Sequence, residues 1–135
     1  MRGVIQNVAR KQQILDFRDL KYGNITPTDI DAAIEYHDKA RILIEFKYCD
    51  AALPYGQRLA LERFVRDFEK AGMEAIAIVA EHQTHDAMQS VPAGTCQVRE
   101  ICYKHNYAWR PPKYSCTVKE LVDSFIDFID KSFEA

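Results

Sequence analysis

Three ionisable side chains in the first half of the chain have the types and spacing needed for phosphodiester hydrolysis. They are Asp31, Glu45 and Lys47. Two carboxylates can bind a hard divalent cation, which keeps several waters and activates one of them as the nucleophile. A lysine adds compact positive charge that can hold this water and offset the charge developing on the phosphorus oxygens. Without the cation the two carboxylates should repel each other, which makes one of them harder to ionise.

A predicted β-hairpin would bring these side chains together. Residues 30–36 and 41–48 alternate between apolar and polar types, which is the period of a half-buried strand. The apolar members are Ile30, Ala32, Ile34 and Tyr36 in the first strand and Ile42, Ile44, Phe46 and Tyr48 in the second. The polar stretch 37–40 between them is short enough to be a hairpin loop.

The register of this hairpin decides whether the charged residues meet. Slipping one strand by one residue moves its whole apolar set to the opposite face. Since the apolar residues of both strands have even numbers, they share a face only if the numbers of two opposed residues have an even sum. A loop of residues 38–40 gives the sum 78, which places Asp31 opposite Lys47 and gathers both with Glu45 on the second face. A two-residue loop would bury half the charges and separate Asp31 from Glu45. The alternative interpretation of the trio is a structural cross-strand ion pair on a solvated face.

The remaining pattern predicts a single α/β domain over residues 1–135. We expect a short helix at about 12–20 and a longer one over 57–71. The apolar run 74–81 lacks alternation, as in a strand covered on both faces, and its order after a strand and a helix favours a parallel crossover. A weaker strand follows at 97–103, and Thr117-Val118-Lys119-Glu120 is a capping box that opens a last helix. The expected architecture is a central mixed sheet, made of a hairpin plus a β-α-β crossover, flanked by helices.

Composition limits the classes of function. Eighteen Lys and Arg against twenty Asp and Glu give a formal net charge of −2, so any contact with nucleic acid must be local. The sequence contains no apolar run long enough to cross a bilayer and no secretory leader, so we expect a cytoplasmic protein without membrane contact. The four cysteines have no CxxC spacing and are expected to be free thiols.

One segment of the sequence resembles a known nuclease superfamily. Pro27-Thr28-Asp29-Ile30-Asp31, followed after a strand and a turn by Glu45-Phe46-Lys47, resembles the PD-(D/E)xK motif of nucleases with the restriction-endonuclease-like fold. The predicted order of helix, hairpin, helix and strands matches as well, and the resemblance covers roughly residues 15–81. The segment Ile-Thr-Pro-Thr-Asp-Ile-Asp also resembles the sequences of small phage or mobile-element members of that superfamily.

The resemblance implies a magnesium-dependent endonuclease that cleaves DNA, with Mn²⁺ as a substitute metal. It implies that Asp31 and Glu45 are metal ligands and that Lys47 is the catalytic lysine. Asp29 has the same strand parity as Asp31 and is the alternative or second ligand. The pattern departs from a strict Pro-Asp pair because Thr28 follows Pro27, which leaves the identity of the first acid open.

Gln57 is a further candidate for a catalytic role. It lies on the same helical stripe as Leu61, Phe64 and Phe68 but in the first turn, and it follows Lys47 by ten residues. Some nucleases of the superfamily carry a helix glutamine downstream of the lysine. The alternative role is a helix N-terminal residue that bonds backbone or water.

Two other features have alternative interpretations. Residues 104–114 interleave cations with aromatic rings, which suits phosphate tracking and base stacking, or else form a connection whose Trp109 packs on the core. A zinc set of Cys96, Cys102, His105 and Cys116 lacks paired spacing and is only weakly indicated.

A homodimer or a partner protein would help so small a domain to bind DNA tightly. The competing function is an inactive nucleic-acid or protein-binding module within a larger phage or mobile-element complex.

Overall fold

A five-stranded mixed sheet runs through the middle of the molecule in a computed structural model, which describes residues 15–133. The strands lie in chain order: β1 Ala32–Tyr36, β2 Ala40–Tyr48, β3 Glu74–His82, β4 Gln97–Cys102 and β5 Trp109–Arg110. Only β2 and β3 pair in parallel; the other neighbours are antiparallel. The predicted α/β class, the hairpin and the parallel crossover are therefore confirmed.

Two helices cover the sheet. Helix α1, Tyr55–Lys70, connects β2 to β3, and helix α2, Val118–Ser132, follows β5. The predicted capping box starts α2, since Thr117 Oγ1 accepts from the Glu120 amide at 3.2 Å and the Glu120 carboxylate accepts from the Thr117 amide at 2.9 Å. One-turn 3-10 helices span Ala93–Thr95 and His105–Tyr107.

The two helices lie on opposite faces of the sheet. The α1 face includes Leu43, Leu61, Val65, Ala75, Ala77, Val79 and Cys102. The α2 face includes Ile42, Ile44, Ile76, Ile78, Phe125 and Ile129. Residues 75–80 of β3 are all buried, which explains the unbroken apolar run that predicted a central strand.

The hairpin register has the predicted even parity but is shifted by two residues. Ala32 pairs with Ile44 and Tyr36 with Ala40, so opposed numbers sum to 76 rather than 78. The loop is residues 37–39 instead of 38–40. His37 and Asp38 have φ of 53° and 58°, as the central residues of a type I′ turn require. If the register is continued, position 31 faces Glu45, so the predicted pairing of Asp31 with Lys47 was wrong.

The predicted first helix is not formed in the part of it that the structure describes. Residues 15–17 have no regular structure, and residues 18–20 form a turn and a bend. Leu15, Phe17 and Leu20 are 76%, 41% and 42% exposed. An apolar stripe that is not buried gives a short helix little stability. Residues 12–14 of this prediction lie outside the described range.

Strand β5 was not predicted from the sequence, whereas the free cysteines were. The two-residue strand β5 lies within the segment 104–114 that was predicted to be a loop. The four cysteines are free, as expected. Among the described residues, no helix is both long enough and apolar enough to span a membrane.

Candidate functional site

A polar site lies on the α1 face of the sheet, where β2 changes from apolar to charged residues. Leu43 belongs to the apolar cluster under α1, and Glu45 and Lys47 continue the same side of the strand by alternation. Gln57, in the first turn of α1, donates from Nε2 to Glu45 Oε1 at 2.9 Å. Asp31 approaches from the residue immediately before β1. The structure thus brings together Asp31, Glu45, Lys47 and Gln57.

Glu45 is the only charged residue among those that the structure describes as buried, with 4% of its surface exposed. Its Oε2 is buried and has no hydrogen-bond partner among the described residues. Burial first, and then the charge of Asp31, raise the pKa of Glu45 to about 7, although Lys47 opposes the shift. The expectation that one carboxylate is hard to ionise agrees with this, but burial contributes more than repulsion.

Asp31 is exposed and is held against β2 by a backbone bond. Its Oδ2 accepts from the Phe46 amide at 2.8 Å. The Phe46 amide bonds Oδ2 and not Oδ1, and the charge of this carboxylate acts on Glu45. Since the amide belongs to the residue between Glu45 and Lys47, this bond fixes the Asp31 carboxylate beside both side chains.

Gln57 connects the site to the segment before β1. Its Nε2 also donates to the backbone carbonyl of Asp29 at 2.9 Å. Gln57 therefore bonds backbone, as a helix N-terminal residue would, and also contacts Glu45, as a site residue would. Asp29 itself contributes only this carbonyl, and its charge is not among the causes of the raised Glu45 pKa. The structure therefore places Asp31, rather than Asp29, with Glu45.

Lys47 is half-buried and forms no ion pair with any residue between 15 and 133. On the neighbouring strand β3 its direct partner is an acid, Glu81. Glu81 pairs instead with Arg99 at 3.6 Å. Sequence reasoning missed Glu81 and Arg99. Glu81 ends the apolar run of β3 and has the parity that places it on the same face as Lys47, but only the strand register shows that the two residues are direct partners.

The two acids fit a hard cation better than a transition metal. Their donors are carboxylate oxygens, one of them buried without a partner, and Mg²⁺ needs few protein ligands because it keeps several waters. No cluster of three or more His, Cys, Asp or Glu side chains suited to a metal occurs in the described range. Cys96, Cys102, His105 and Cys116, the zinc set that the sequence only weakly indicated, therefore form no such cluster.

A groove adjoins the site on the other side of Gln57. It has a volume of about 600 Å³ and lies between the segment 24–29 and the first half of α1. Asp29, Gln57 and Arg63 are among its lining residues. Because Gln57 contacts Glu45 and also lines the groove, the two features share one wall.

The aromatic segment 104–114 is partly committed to the core. Trp109 packs with the α1 cluster, its Nε1 donates to Glu62 at 2.7 Å, and the Arg58 guanidinium lies 5.0 Å from its ring. Tyr114 remains 74% exposed with Lys113 over its ring. Of the two interpretations, core packing describes Trp109, and a stacking surface is left only around Tyr114.

Comparisons with known proteins found no match: no family model, no curated protein and no solved structure.

Proposed function

We propose that this protein is a magnesium-dependent nuclease with a restriction-endonuclease-like fold that hydrolyses phosphodiester bonds in DNA. The observation that carries the proposal is the buried Glu45 carboxylate, whose Oε2 has no hydrogen-bond partner within residues 15–133 although Asp31 and Lys47 act on its charge. The motif order adds support, because Asp31 directly precedes the first hairpin strand, Glu-Phe-Lys lies on the second, and a parallel crossover through α1 follows.

The energetic cost of this arrangement is one that a bound cation would offset. A buried carboxylate oxygen without a hydrogen bond is costly, and a second acid beside it adds repulsion. Asp31 and Glu45 would hold a divalent cation that satisfies the free oxygen and removes the repulsion. Bound there, Mg²⁺ would activate water and stabilise negative charge on phosphorus oxygens.

The protein's own residues would prepare the site for this reaction. Gln57 orients Glu45 through Oε1, which leaves Oε2 for the ligand. The Phe46 amide orients Asp31 through Oδ2 and leaves Oδ1. Lys47 contributes positive charge that would hold the attacking water and lower the energy of the charged transition state. These bonds fix the carboxylates before any substrate binds, which reduces the reorganisation needed for reaction.

A plasmid assay tests the proposal directly. Supercoiled DNA is incubated with wild type, Glu45→Ala and Lys47→Ala, with Mg²⁺ or with EDTA. Asp123→Ala and Lys131→Ala remove an acid and a lysine from exposed ion pairs on α2 and are the matched controls. We expect magnesium-dependent nicking by wild type and both controls only. Nicking that persists in both site variants would remove Asp31, Glu45 and Lys47 as the active site.

The second candidate is an inactive binding module of the same fold within a larger phage or mobile-element complex. One finding favours it: Asp31 and Glu45 are two carboxylates, and no group of three or more metal-binding side chains occurs among the described residues. No cleavage of supercoiled, linear or single-stranded DNA with Mg²⁺ or Mn²⁺, together with DNA binding that Glu45→Ala leaves unchanged, would support this candidate over the nuclease.

A further inference from the structure

Arg99 on β4 binds an acid that would otherwise face Lys47. Its Nη2 lies 3.6 Å from Glu81 Oε2. The same guanidinium donates to two backbone carbonyls in the connection after β2, to Cys49 at 2.7 Å and to Ala51 at 2.6 Å. With its side chain only 22% exposed and held at three points, Arg99 has little freedom to move.

Glu81 is the natural ion-pair partner of Lys47 by position. The two residues are direct partners in the parallel pair of β2 and β3. Paired residues of neighbouring strands point to the same face and are about 4.8 Å apart along the hydrogen-bonding direction. Opposite charges in such positions usually attract each other. Yet the structure pairs Glu81 with Arg99, and Lys47 has no ionic partner among residues 15–133.

A β-bulge puts Arg99 in place to do this. Val79 pairs with Glu100 and Ala80 pairs with Val98, so Arg99 is the extra residue on β4. A bulge redirects the side chain of its extra residue and commonly does so beside functional sites. Here it sends the guanidinium to Glu81 and to the carbonyls at the end of β2.

We propose that Arg99 is a positioning residue that keeps the Lys47 ammonium available to the reaction by neutralising Glu81. This inference rests on the proposed nuclease function, in which Lys47 acts on water and phosphorus oxygens. Without Arg99 the Glu81 carboxylate would pair with Lys47. The pair would cancel the positive charge and draw the ammonium away from Glu45 and Asp31.

A set of four variants tests this role through rescue. Arg99→Gln should lower kcat for plasmid nicking about tenfold or more with little change in KM, whereas Glu81→Gln alone should remain near wild type. The double variant Arg99→Gln/Glu81→Gln should recover kcat to within about threefold of wild type, because the competing acid is gone. Arg99→Lys, which keeps a cation beside Glu81, should retain more activity than Arg99→Gln. Thermal unfolding of each variant verifies that it folds.

A double variant as impaired as Arg99→Gln would show that Arg99 acts only through its backbone bonds and would overturn the proposal. Loss of nicking in Glu81→Gln would overturn it as well, since Glu81 would then be required.

A second measurement does not depend on nuclease activity. Reductive methylation of the folded protein, followed by mass spectrometry of the peptide that contains Lys47, reports how freely its amine reacts. Labelling of Lys47 should slow in Arg99→Gln and return in the double variant, while labelling of Lys113, which is exposed, stays constant. Equal Lys47 labelling in all variants would overturn the positioning role. If wild type does not nick DNA, the proposed function fails, and the labelling series still decides whether Arg99 keeps Lys47 unpaired.

Discussion

Two glutamates on the α1 face occupy equivalent places in the sheet but have opposite surroundings. Glu45 on β2 and Glu100 on β4 both pair with Val79, one from each side, so they lie at the same level of the same face. Each meets a side chain from the first turn of α1. Gln57 reaches Glu45 at 2.9 Å, and Arg58 reaches Glu100 at 2.8 Å.

The difference lies in charge compensation. Glu100 is 28% exposed, and a guanidinium matches its charge. Glu45 is 4% exposed, meets a neutral amide and has one oxygen with no hydrogen-bond partner in the described part of the chain. A fold that needed only an ion pair would treat both acids alike. The comparison therefore indicates that Glu100 stabilises the protein, whereas Glu45 is buried without charge compensation, which is what the proposed magnesium site requires.

The largest contrast should appear in catalysis. Glu45→Gln removes a ligand charge while it keeps the shape of the side chain, and we expect nicking to fall about a thousandfold or more, which is about 4 kcal/mol in the barrier. Glu100→Gln is the matched control and should lose less than about fivefold. Initial rates on supercoiled plasmid with Mg²⁺ measure both. Equal losses in the two variants would remove the distinction between the acids.

The next effect is on the pH dependence of stability in metal-free buffer. Because the pKa of Glu45 is raised from 4.5 to about 7, the folded state holds this proton more tightly than the unfolded state. The stabilisation is complete below pH 4.5 and is lost as pH rises through about 7. The free energy of unfolding should therefore decrease as the pH rises from about 4.5 to above 7.

Urea unfolding of wild type and Glu45→Gln between pH 4 and pH 8 isolates this contribution. The free energy of unfolding of the variant should exceed that of wild type at pH 8 and not at pH 4. Glu100→Gln should retain the wild-type slope. A difference between wild type and Glu45→Gln that does not vary with pH would contradict the raised pKa.

Magnesium should replace the proton as the ion that compensates Glu45. At pH 8 and a metal concentration of about a hundred times Kd, wild type should gain roughly 2 to 3 kcal/mol of unfolding free energy. Glu45→Gln and Asp31→Asn should gain little, and Glu100→Gln should gain as much as wild type. Thermal unfolding with and without Mg²⁺ measures the gain. Stabilisation that is equal in all four proteins would place the cation elsewhere.

The smallest effect should come from the two helix residues. Arg58→Gln leaves Glu100 with a neutral partner, and because this pair is partly exposed the cost should be about 1 kcal/mol. Gln57→Leu removes the amide hydrogen bond to Glu45 Oε1, which should raise the pKa of Glu45 further and lower nicking about tenfold. Carboxyl ¹³C NMR separates the two, since Arg58→Gln should leave the Glu45 titration unchanged.

The sequence could predict the parity of the hairpin but not its exact register. Sums of 76 and 78 bury the same apolar sets, so periodicity cannot choose between them. The choice depends on a turn in which His37 and Asp38 adopt positive φ, without the Asn-Gly or Gly residues that normally signal it. The two-residue shift changed which residues face each other and left the charged face intact.

In the site, too, periodicity predicted some residues, and others could be assigned only from the structure. Gln57 could be placed because helical periodicity points it inward from the first turn. Asp29 and Asp31 share a parity, so only the backbone contact with Phe46 and the charge acting on Glu45 separate them. Arg99 could not be found, because its position depends on a bulge that leaves no mark in the alternation of β4.

The most direct test of the account is a crystal structure of the protein soaked in Mn²⁺, with anomalous diffraction recorded at a wavelength that detects the metal. We predict one anomalous peak within coordination distance of the carboxylates of Asp31 and Glu45, and no peak there in Glu45→Gln. No metal between these two carboxylates in the wild-type crystal, at a concentration that supports nicking, would contradict the central claim.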